Sequence, residues 1–269
     1  MIRFANCKIN LGLHVTEKRN DGFHNIQTIF YPIDLKDIVE IISSTNETFE
    51  YSSSGLPISD SLEDNLCFKA YKILKELFPN QVPSIKMHLH KTVPMGAGLG
   101  GGSADAAATL LLLNEKYNLN ISEKQLIEVA LKLGSDVPFF IKNTPCLAIG
   151  RGEILDPINI DLSDYKIVVV NPKIHIATAW AFSKIIPTNP ICSLKEIIKS
   201  PIQNWKENLI NDFEKPVFEL FPEIKQIKDL LYNGGAIYAS MSGSGSTVYA
   251  IFEKEINLEL NKNYFYKWL

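Results

Sequence analysis

The stretch PMGAGLGGGSADAAATLLLL, Pro94 to Leu113, places five of the chain's fifteen glycines immediately before a run of alanine and leucine. Glycine lets the backbone turn tightly and approach a ligand closely, whereas alanine and leucine are strong helix formers. The pattern therefore predicts a glycine loop that leads into a helix from about Ser103 to Tyr117. A disordered linker is the alternative interpretation, but linkers seldom continue into a segment of such high helix propensity.

Three kinds of phosphate-binding loop compete for this stretch. A Walker A loop requires a lysine after its last glycine, and no lysine follows any glycine here. A dinucleotide loop fits Gly96, Gly98 and Gly101, but the strand and acidic residue that should follow the helix are missing from NEKYNLNISEKQ. The third kind is a general loop in which the free N–H groups of a helix N-terminus hold a polyphosphate. The sequence favours this third kind.

The rest of the chain predicts an α+β protein of two domains. Apolar and polar residues alternate over residues 2–15, which indicates a strand, and Ser122 and Gln125 have the spacing of a helix capping box. In the second half we predict helices around residues 177–186, 193–199, 205–219 and 222–233. Helices and strands are interspersed without strict alternation, which favours α+β domains over a doubly wound sheet.

Composition excludes several classes of function. The 269 residues are 46% hydrophobic and 21% charged, as in a folded protein with a sizeable core. The net charge is −3 and no Lys/Arg-rich run occurs, so we expect neither nucleic acid nor membrane as a partner. The N-terminus lacks the apolar segment of a signal peptide, and no apolar run approaches the ~20 residues of a membrane span. These features predict a cytoplasmic protein.

Three segments together carry a family resemblance. PMGAGLGGGSADAA resembles the nucleotide loop of the GHMP small-molecule kinases, while ANCKINLGL and MSGSGSTVYAIF lie where that family has its first and third motifs. Further matches, in the family's order along almost the whole chain, are RNDGFHNIQTIF, LGSDVPFF, GRGEIL and NDFE. The resemblance implies an N-terminal domain over residues 1–157 like ribosomal protein S5 domain 2. It also implies a ferredoxin-like C-terminal α/β sandwich over residues 158–269, with the active site in the cleft between them.

Within the family, the resemblance is greatest to members that act on a cytidylyl sugar alcohol. It implies ATP- and Mg²⁺-dependent phosphorylation of the 2-hydroxyl of 4-diphosphocytidyl-2-C-methyl-D-erythritol, a step of non-mevalonate isoprenoid precursor synthesis. The partner would be this small molecule, and the protein a monomer or homodimer. The alternatives are another GHMP kinase of the homoserine or mevalonate type, or a GHMP-fold binding protein that has lost catalysis.

Two residues are the implied catalytic groups. Asp136 matches the family's catalytic aspartate, whose carboxylate can accept the proton of the attacking hydroxyl. From the sequence alone, a cap for the helix that follows is the favoured interpretation of Asp136, and only the resemblance reverses this order. Lys8 matches the family's lysine and lies on the same strand face as Asn10, where an ammonium could stabilise phosphoryl charge. Without the resemblance, Lys8 would be interpreted as a solvated strand lysine.

The resemblance also implies two sets of binding residues. Phe23 and Phe182 would stack on the cytosine and His24 would hydrogen-bond its edge. Ser103 is the one candidate protein ligand for Mg²⁺. The other implied substrate contacts are Asn10, Thr178, Gly243 and Ser244. The implied ATP contacts are Pro94, Met95, Gly96, Ala97, Gly98, Leu99, Gly100, Gly101, Gly102, Ser103 and Ala104.

Overall fold

The computed structural model describes residues 1–44, 48–58 and 61–269. The strands are β1 (Ile2–Lys18), β2 (His24–Ser43), β3 (Glu50–Gly55), β4 (Ile85–Lys91), β5 (Cys146–Gly150), β6 (Ile154–Pro157), β7 (Lys166–Asn171), β8 (Tyr238–Met241), β9 (Val248–Phe252) and β10 (Phe265–Trp268). The helices are α1 (Leu66–Leu77), α2 (Gly101–Lys116), α3 (Glu123–Leu133), α4 (Val137–Lys142), α5 (Thr178–Ser183), α6 (Leu194–Ile197), α7 (Trp205–Asn208), α8 (Glu214–Leu220) and α9 (Pro222–Asn233). This interspersed order confirms the predicted α+β class.

The chain forms two compact units, each assembled from separate segments. The first unit comprises residues 1–7, 34–95 and 100–144. The second unit comprises residues 8–33, 96–99 and 145–269. The domain boundary that the sequence suggests near residue 157 stays a prediction. None of the helices in the described ranges is both long enough and apolar enough to cross a membrane.

The first unit combines strands with four helices. The second half of β2 pairs antiparallel with β4, and β4 pairs parallel with β3. Helix α2 packs on α1, α3 and α4 and is buried along much of its length because its face is alanine and leucine. The predicted capping box is present at α3, where the Ser122 side chain accepts from the Gln125 N–H, and Gly134 ends the helix. These local signals needed no tertiary information.

A buried ion cluster lies beside the start of α2. The ammonium of Lys91, at the end of β4, donates to Asp37 and, at 2.8 Å, to Asp105 in α2. Burial raises the pKa of Asp105 to about 7, against the opposing effect of the Lys91 charge. The Asp37 carboxylate also accepts the backbone N–H of Val93 at 2.9 Å. The cluster therefore ties the strand before the glycine loop to the helix after it.

The second unit contains a four-stranded antiparallel sheet with the strand order β10-β7-β9-β8. Helix α9 packs against β8 and β9 over a core that includes Val168, Phe213, Val217, Ile227 and Met241. The first half of β2 pairs with β5, which pairs with β6. The second unit thus includes the residues of β1 from Lys8 onward and also four residues of the glycine loop.

The predicted helix over residues 205–219 is wrong in its middle. The structure has two short helices, α7 and α8, separated by residues 209–213. There the backbone leaves the helix to pair with β1: the Leu13 N–H donates to the Ile210 carbonyl, and the Asp212 N–H donates to the Leu13 carbonyl, both at 2.9 Å. Helical periodicity in the sequence does not reveal this long-range pairing, which replaces the helix bonds.

Candidate active site

The glycine loop is shaped by residues with left-handed backbone angles. Gly98 has φ = +78°, and a Cβ there would lie 2.0 Å from the Ser242 carbonyl oxygen. Gly100 is the N-cap residue of α2, has φ = +70° and makes no side-chain capping hydrogen bond. The N–H groups at the start of α2 therefore have no side-chain cap from Gly100, and such groups can bind an anion.

Two backbone bonds hold the loop inside the second unit. The Lys8 N–H donates to the Leu99 carbonyl at 2.9 Å, and the Thr247 N–H donates to the Ala97 carbonyl at 3.2 Å. Ala97 and Leu99 are buried, whereas Met95 and Gly96 are exposed. The two residues that anchor the loop are thus buried, and the two residues before them are exposed. Further on, Gly101 and Ala104 are buried in α2, Ser103 is half-buried and Gly102 is exposed.

Lys8 is not a solvated strand lysine. Only 3% of the residue is exposed. Its ammonium donates to Asn10 Oδ1 at 2.7 Å, lies 3.4 Å from the Gly98 carbonyl oxygen, and sits 4.8 Å from the centre of the Phe30 ring. A buried charge is costly unless it is paired or hydrogen-bonded, so a buried lysine with these neighbours is a candidate functional residue.

Further buried side chains fix Asn10. Its Nδ2 donates to Thr28 Oγ1 at 2.9 Å, and the Tyr249 hydroxyl donates to the Asn10 backbone carbonyl at 2.7 Å. The Ser242 hydroxyl donates to the Gly98 carbonyl at 2.8 Å and contacts Asn10 Oδ1 at 3.3 Å. We refer to these interacting residues as the Lys8 cluster: Lys8, Asn10, Thr28, Gly98 and Ser242.

The second glycine turn, residues 243–245, lies against the Lys8 cluster. A Cβ on Gly243 would lie 3.3 Å from the Gly98 carbonyl oxygen and 3.4 Å from Asn10 Oδ1. The half-buried Ser244 contacts Thr178, with 3.3 Å between the two hydroxyl oxygens. The structure thus brings together four predicted residues of the second unit, Lys8, Asn10, Gly98 and Gly243. Ser244, next in the chain, contacts Thr178.

The predicted aromatic residues form a separate group. His24 stacks on Phe182, with ring centres 4.9 Å apart and planes 20° from parallel. Burial lowers the pKa of His24, and the Lys18 charge acts in the same direction. Phe23 is 52% exposed, and the Arg151 guanidinium lies 4.7 Å from its ring centre. Two of the three predicted rings are therefore in direct contact, and the third faces solvent under a cation.

Asp136 belongs to the first unit and directly precedes α4. It is half-buried, with helical backbone angles of φ = −84° and ψ = −18°. Among the described residues of α4, none receives a capping hydrogen bond from its side chain. Asp136 therefore lies at the N-cap position of α4, and its side chain makes no capping hydrogen bond there.

Thr28, Ser242, Asn211 and Tyr249 were not predicted as site residues. Ser242 lies inside the motif MSGSGSTVYAIF, one residue before the glycines that drew attention, and Asn211 begins NDFE. Thr28 and Tyr249 lie in strands among apolar residues, where a threonine or tyrosine is ordinary. The hydrogen bonds of Thr28 and Tyr249 with Asn10 join residues that are far apart in the chain.

Comparison with known proteins gives this geometry a family. The model of the GHMP kinases N terminal domain matches residues 65–143, and that of the GHMP kinases C terminal domain matches residues 193–264. A 4-diphosphocytidyl-2-C-methyl-D-erythritol kinase from Bacteroides fragilis is 51% identical over 257 residues, which cover 95% of this chain and 93% of that protein. The chain belongs to the GHMP kinase family.

Solved structures agree with this assignment. A crystal structure of 4-(cytidine 5'-diphospho)-2C-methyl-D-erythritol kinase superposes with a TM-score of 0.80 and 31% identity, covering 93% of this chain and 90% of that chain. The Methanococcus jannaschii mevalonate kinase superposes with a TM-score of 0.68 at 15% identity, over 94% of this chain and 90% of that one, and shares the fold alone. The protein is therefore a GHMP small-molecule kinase, and ATP is its phosphoryl donor.

Proposed function

We propose that this GHMP kinase transfers the γ-phosphoryl group of ATP to the 2-hydroxyl of 4-diphosphocytidyl-2-C-methyl-D-erythritol, a step of non-mevalonate isoprenoid precursor synthesis. The substrate is the one in the name of the Bacteroides fragilis relative, which is 51% identical. The observation that carries the proposal is the buried Lys8 ammonium, which contacts Asn10 and approaches the glycine loop. Such a cation can stabilise the negative charge of a phosphoryl group during its transfer.

The glycine loop and the start of α2 would hold the triphosphate. Left-handed glycines allow the backbone to approach the phosphates, and the first N–H groups of the 16-residue α2 supply donors and a positive dipole end. All residues from Pro94 to Ala104 are assigned to this segment.

Gly98→Ala should weaken the binding of the ATP triphosphate by the glycine loop. The new Cβ would lie 2.0 Å from a fixed backbone oxygen, so either the loop or the Ser242 strand end must shift. We expect the KM for ATP, measured by steady-state kinetics, to rise at least about 10-fold. The loss of a few contacts with the phosphates is enough to weaken binding by this amount. Gly235→Ala is the matched control, because its φ is +94° and no atom lies within 4 Å of the added Cβ. An unchanged KM for ATP in Gly98→Ala would remove the loop from the ATP site.

Lys8 and Asp136 would act on the hydroxyl and the transferring group. The Asp136 carboxylate accepts the hydroxyl proton as the bond to phosphorus forms, and the Lys8 ammonium stabilises the charge on the phosphoryl oxygens. Phosphoryl transfer needs alignment and charge neutralisation rather than covalent help, which these two groups and the loop can supply. Asn10, held by Thr28 and Lys8, would orient the methylerythritol portion.

The aromatic group would recognise the cytidine. Phe23 and Phe182 offer faces on which a base can stack, and the His24 imidazole can hydrogen-bond a base edge. Thr178 and Ser244, whose hydroxyls are 3.3 Å apart, are assigned to the diphosphate and erythritol, together with Gly243. Stacking of His24 on Phe182 supports the proposal that this surface accepts planar groups.

Phe23→Ala should raise the KM for the cytidylyl substrate about 10-fold and leave the KM for ATP unchanged. The ring is 52% exposed, so its removal changes the site and not the core. Steady-state kinetics with each substrate varied separately measures the effect. Tyr266→Ala, which removes another half-exposed ring, serves as the control. A change confined to the KM for ATP would show that the cytosine site is misplaced.

We propose that Mg²⁺ binds with ATP, held mainly by the phosphates and water. The described residues contain no group of three or more His, Cys, Asp and Glu side chains arranged for a metal ion, and Mg²⁺ commonly keeps several waters. Ser103, half-buried in the first turn of α2, is the candidate protein ligand. We also propose a cytoplasmic monomer or homodimer, with domains over residues 1–157 and 158–269.

A coupled ADP-release assay on the purified protein tests the function. The cytidylyl substrate, mevalonate, homoserine and galactose are offered in turn with ATP and Mg²⁺. We expect turnover with the cytidylyl substrate at a kcat/KM at least about 100-fold above the others, because only this substrate can use the aromatic group. Turnover with mevalonate or homoserine alone would assign the protein to a different GHMP kinase. No turnover with any of them would favour a binding protein.

A further inference from the structure

Asn211 occupies the break between α7 and α8, in the NDFE segment. There the chain runs beside β1, with a parallel bridge between Leu13 and Asn211. Only 3% of Asn211 is exposed. Its neighbour Asp212 accepts the Val15 N–H at 2.8 Å and contacts His14 Nδ1 at 3.2 Å, so the segment is fastened to β1 on both sides of the bridge.

The Asn211 side-chain amide holds the second glycine turn. Its Nδ2 donates to the Met241 carbonyl at 2.7 Å and to the Gly243 carbonyl at 2.9 Å. Its Oδ1 accepts the Phe213 N–H at 3.0 Å, which fixes the orientation of the amide. Both N–H groups of the amide therefore donate hydrogen bonds, one to the last residue of β8 and one to the turn that follows it.

The turn held by Asn211 bears directly on the Lys8 cluster. A Cβ on Gly243 would lie 3.3 Å from the Gly98 carbonyl oxygen and 3.4 Å from Asn10 Oδ1, and the Ser242 hydroxyl donates to the same Gly98 carbonyl. Ser244, next in the chain, contacts Thr178. A displacement of the turn would move Ser244 and release the support of Asn10, because buried groups in close packing move together.

We propose that Asn211 is a positioning residue of the kinase: its two N–H bonds fix the second glycine turn so that Ser244 and Asn10 meet the substrate in a productive arrangement. Asn211 does not touch substrate in this proposal and acts only through the turn. The inference rests on the proposed function, since that function makes Asn10 and Ser244 substrate contacts. It assigns a role to the first residue of NDFE that the helix-like pattern of its surroundings does not suggest.

Two variants separate the donor role from simple space filling. Asn211→Asp keeps the size and the oxygen that accepts the Phe213 N–H but removes both donors. Asn211→Ala removes the whole amide. Asn208→Ala is the control, because Asn208 is an exposed asparagine three residues earlier whose side chain donates to the Asn204 carbonyl at 2.8 Å.

We expect both Asn211 variants to lower kcat about 10- to 100-fold and to raise the KM for the cytidylyl substrate, with the KM for ATP within about threefold of the unsubstituted protein. Misplacement of a positioned group by about 1 Å can cost 100-fold in rate. The ATP loop keeps its bonds to Lys8 and Thr247, so its affinity should hold. Thermal melts confirm that each variant is folded at the assay temperature.

Hydrogen–deuterium exchange gives a readout that needs no substrate. A peptide that spans residues 241–247 should exchange at least about 10-fold faster in both variants than in the unsubstituted protein and Asn208→Ala, because the turn has lost its anchor. Peptides from β7 should stay protected.

The outcomes distinguish this inference from the proposed function. If the unsubstituted protein does not turn over the cytidylyl substrate, the proposed function fails, and exchange of the turn still decides whether Asn211 holds it. If the unsubstituted protein turns over and Asn211→Asp matches it in kcat and in exchange, the donor role is overturned. Loss of folding in both Asn211 variants would also overturn the proposal, because it would make Asn211 a residue of general stability.

Discussion

Replacement of Asp136 by asparagine is expected to lower kcat at least about 100-fold while ATP still binds. Asparagine has nearly the same size and cannot accept the hydroxyl proton, so the variant tests the base without a change of shape. A positioned general base contributes about 10²- to 10⁴-fold to rate. A 100-fold loss corresponds to about 2.7 kcal/mol of transition-state stabilisation.

Pre-steady-state and steady-state kinetics with the cytidylyl substrate measure the effect, and calorimetric titration with ATP checks that binding is kept. Asp229→Asn is the control, because Asp229 is exposed on α9 and pairs with Lys225 four residues away. A thermal melt of the variant checks that it remains folded at the assay temperature. A kcat near that of the unsubstituted protein would exclude Asp136 as the proton acceptor.

Lys8→Met is expected to lower kcat about 100- to 1,000-fold. The substitution keeps the length of the side chain and its contact with the Phe30 ring, but removes the charge that faces Asn10 and the Gly98 carbonyl. Loss of one preorganised electrostatic donor in a water-poor site costs about this much in rate. Because the charge is buried, its removal also removes a desolvation penalty.

Stability should therefore change little although activity is lost. We expect the melting temperature of Lys8→Met to stay within about 4 °C of the unsubstituted protein, which corresponds to about 1 to 2 kcal/mol for a chain of this size. Lys166→Met is the control, because Lys166 is an exposed lysine at the start of a strand. An active Lys8→Met, or one that does not fold, would contradict the role assigned to the ammonium.

Local sequence signals predicted the parts of the fold that depend on neighbouring residues. The capping box of α3, the glycine loop before α2 and the alternation of β1 all appear where the sequence placed them. Each is a matter of propensity or of bonds between residues a few positions apart. The helix over residues 205–219 failed for the opposite reason, because pairing of residues 210–212 with β1 outweighed helical periodicity.

The roles of the candidate site residues stay predictions, but the structure shows which of these residues are neighbours. The family motifs named Lys8, Asn10, Gly98 and Gly243, which lie together, and Ser244, which follows Gly243 and contacts Thr178. The motifs did not indicate that Lys8 would be buried, nor that Asn10 would be fixed by Thr28 and Tyr249. Side-chain burial depends on which strands become neighbours, and a single sequence carries little signal of that.

The stretch PMGAGLGGGSADAAATLLLL by itself determined a loop and a helix, because glycine backbone freedom and alanine–leucine helix propensity act locally. Only the tertiary structure decided that Gly98 must be glycine, since the constraint is the carbonyl of Ser242, 144 residues further along the chain. The same holds for Lys8, whose buried ammonium depends on Asn10 and Gly98, and for Asn10, which Ser242 reaches across 232 positions. Packing between such distant residues converts a loop that can bind phosphate into a site that can direct where the phosphate goes.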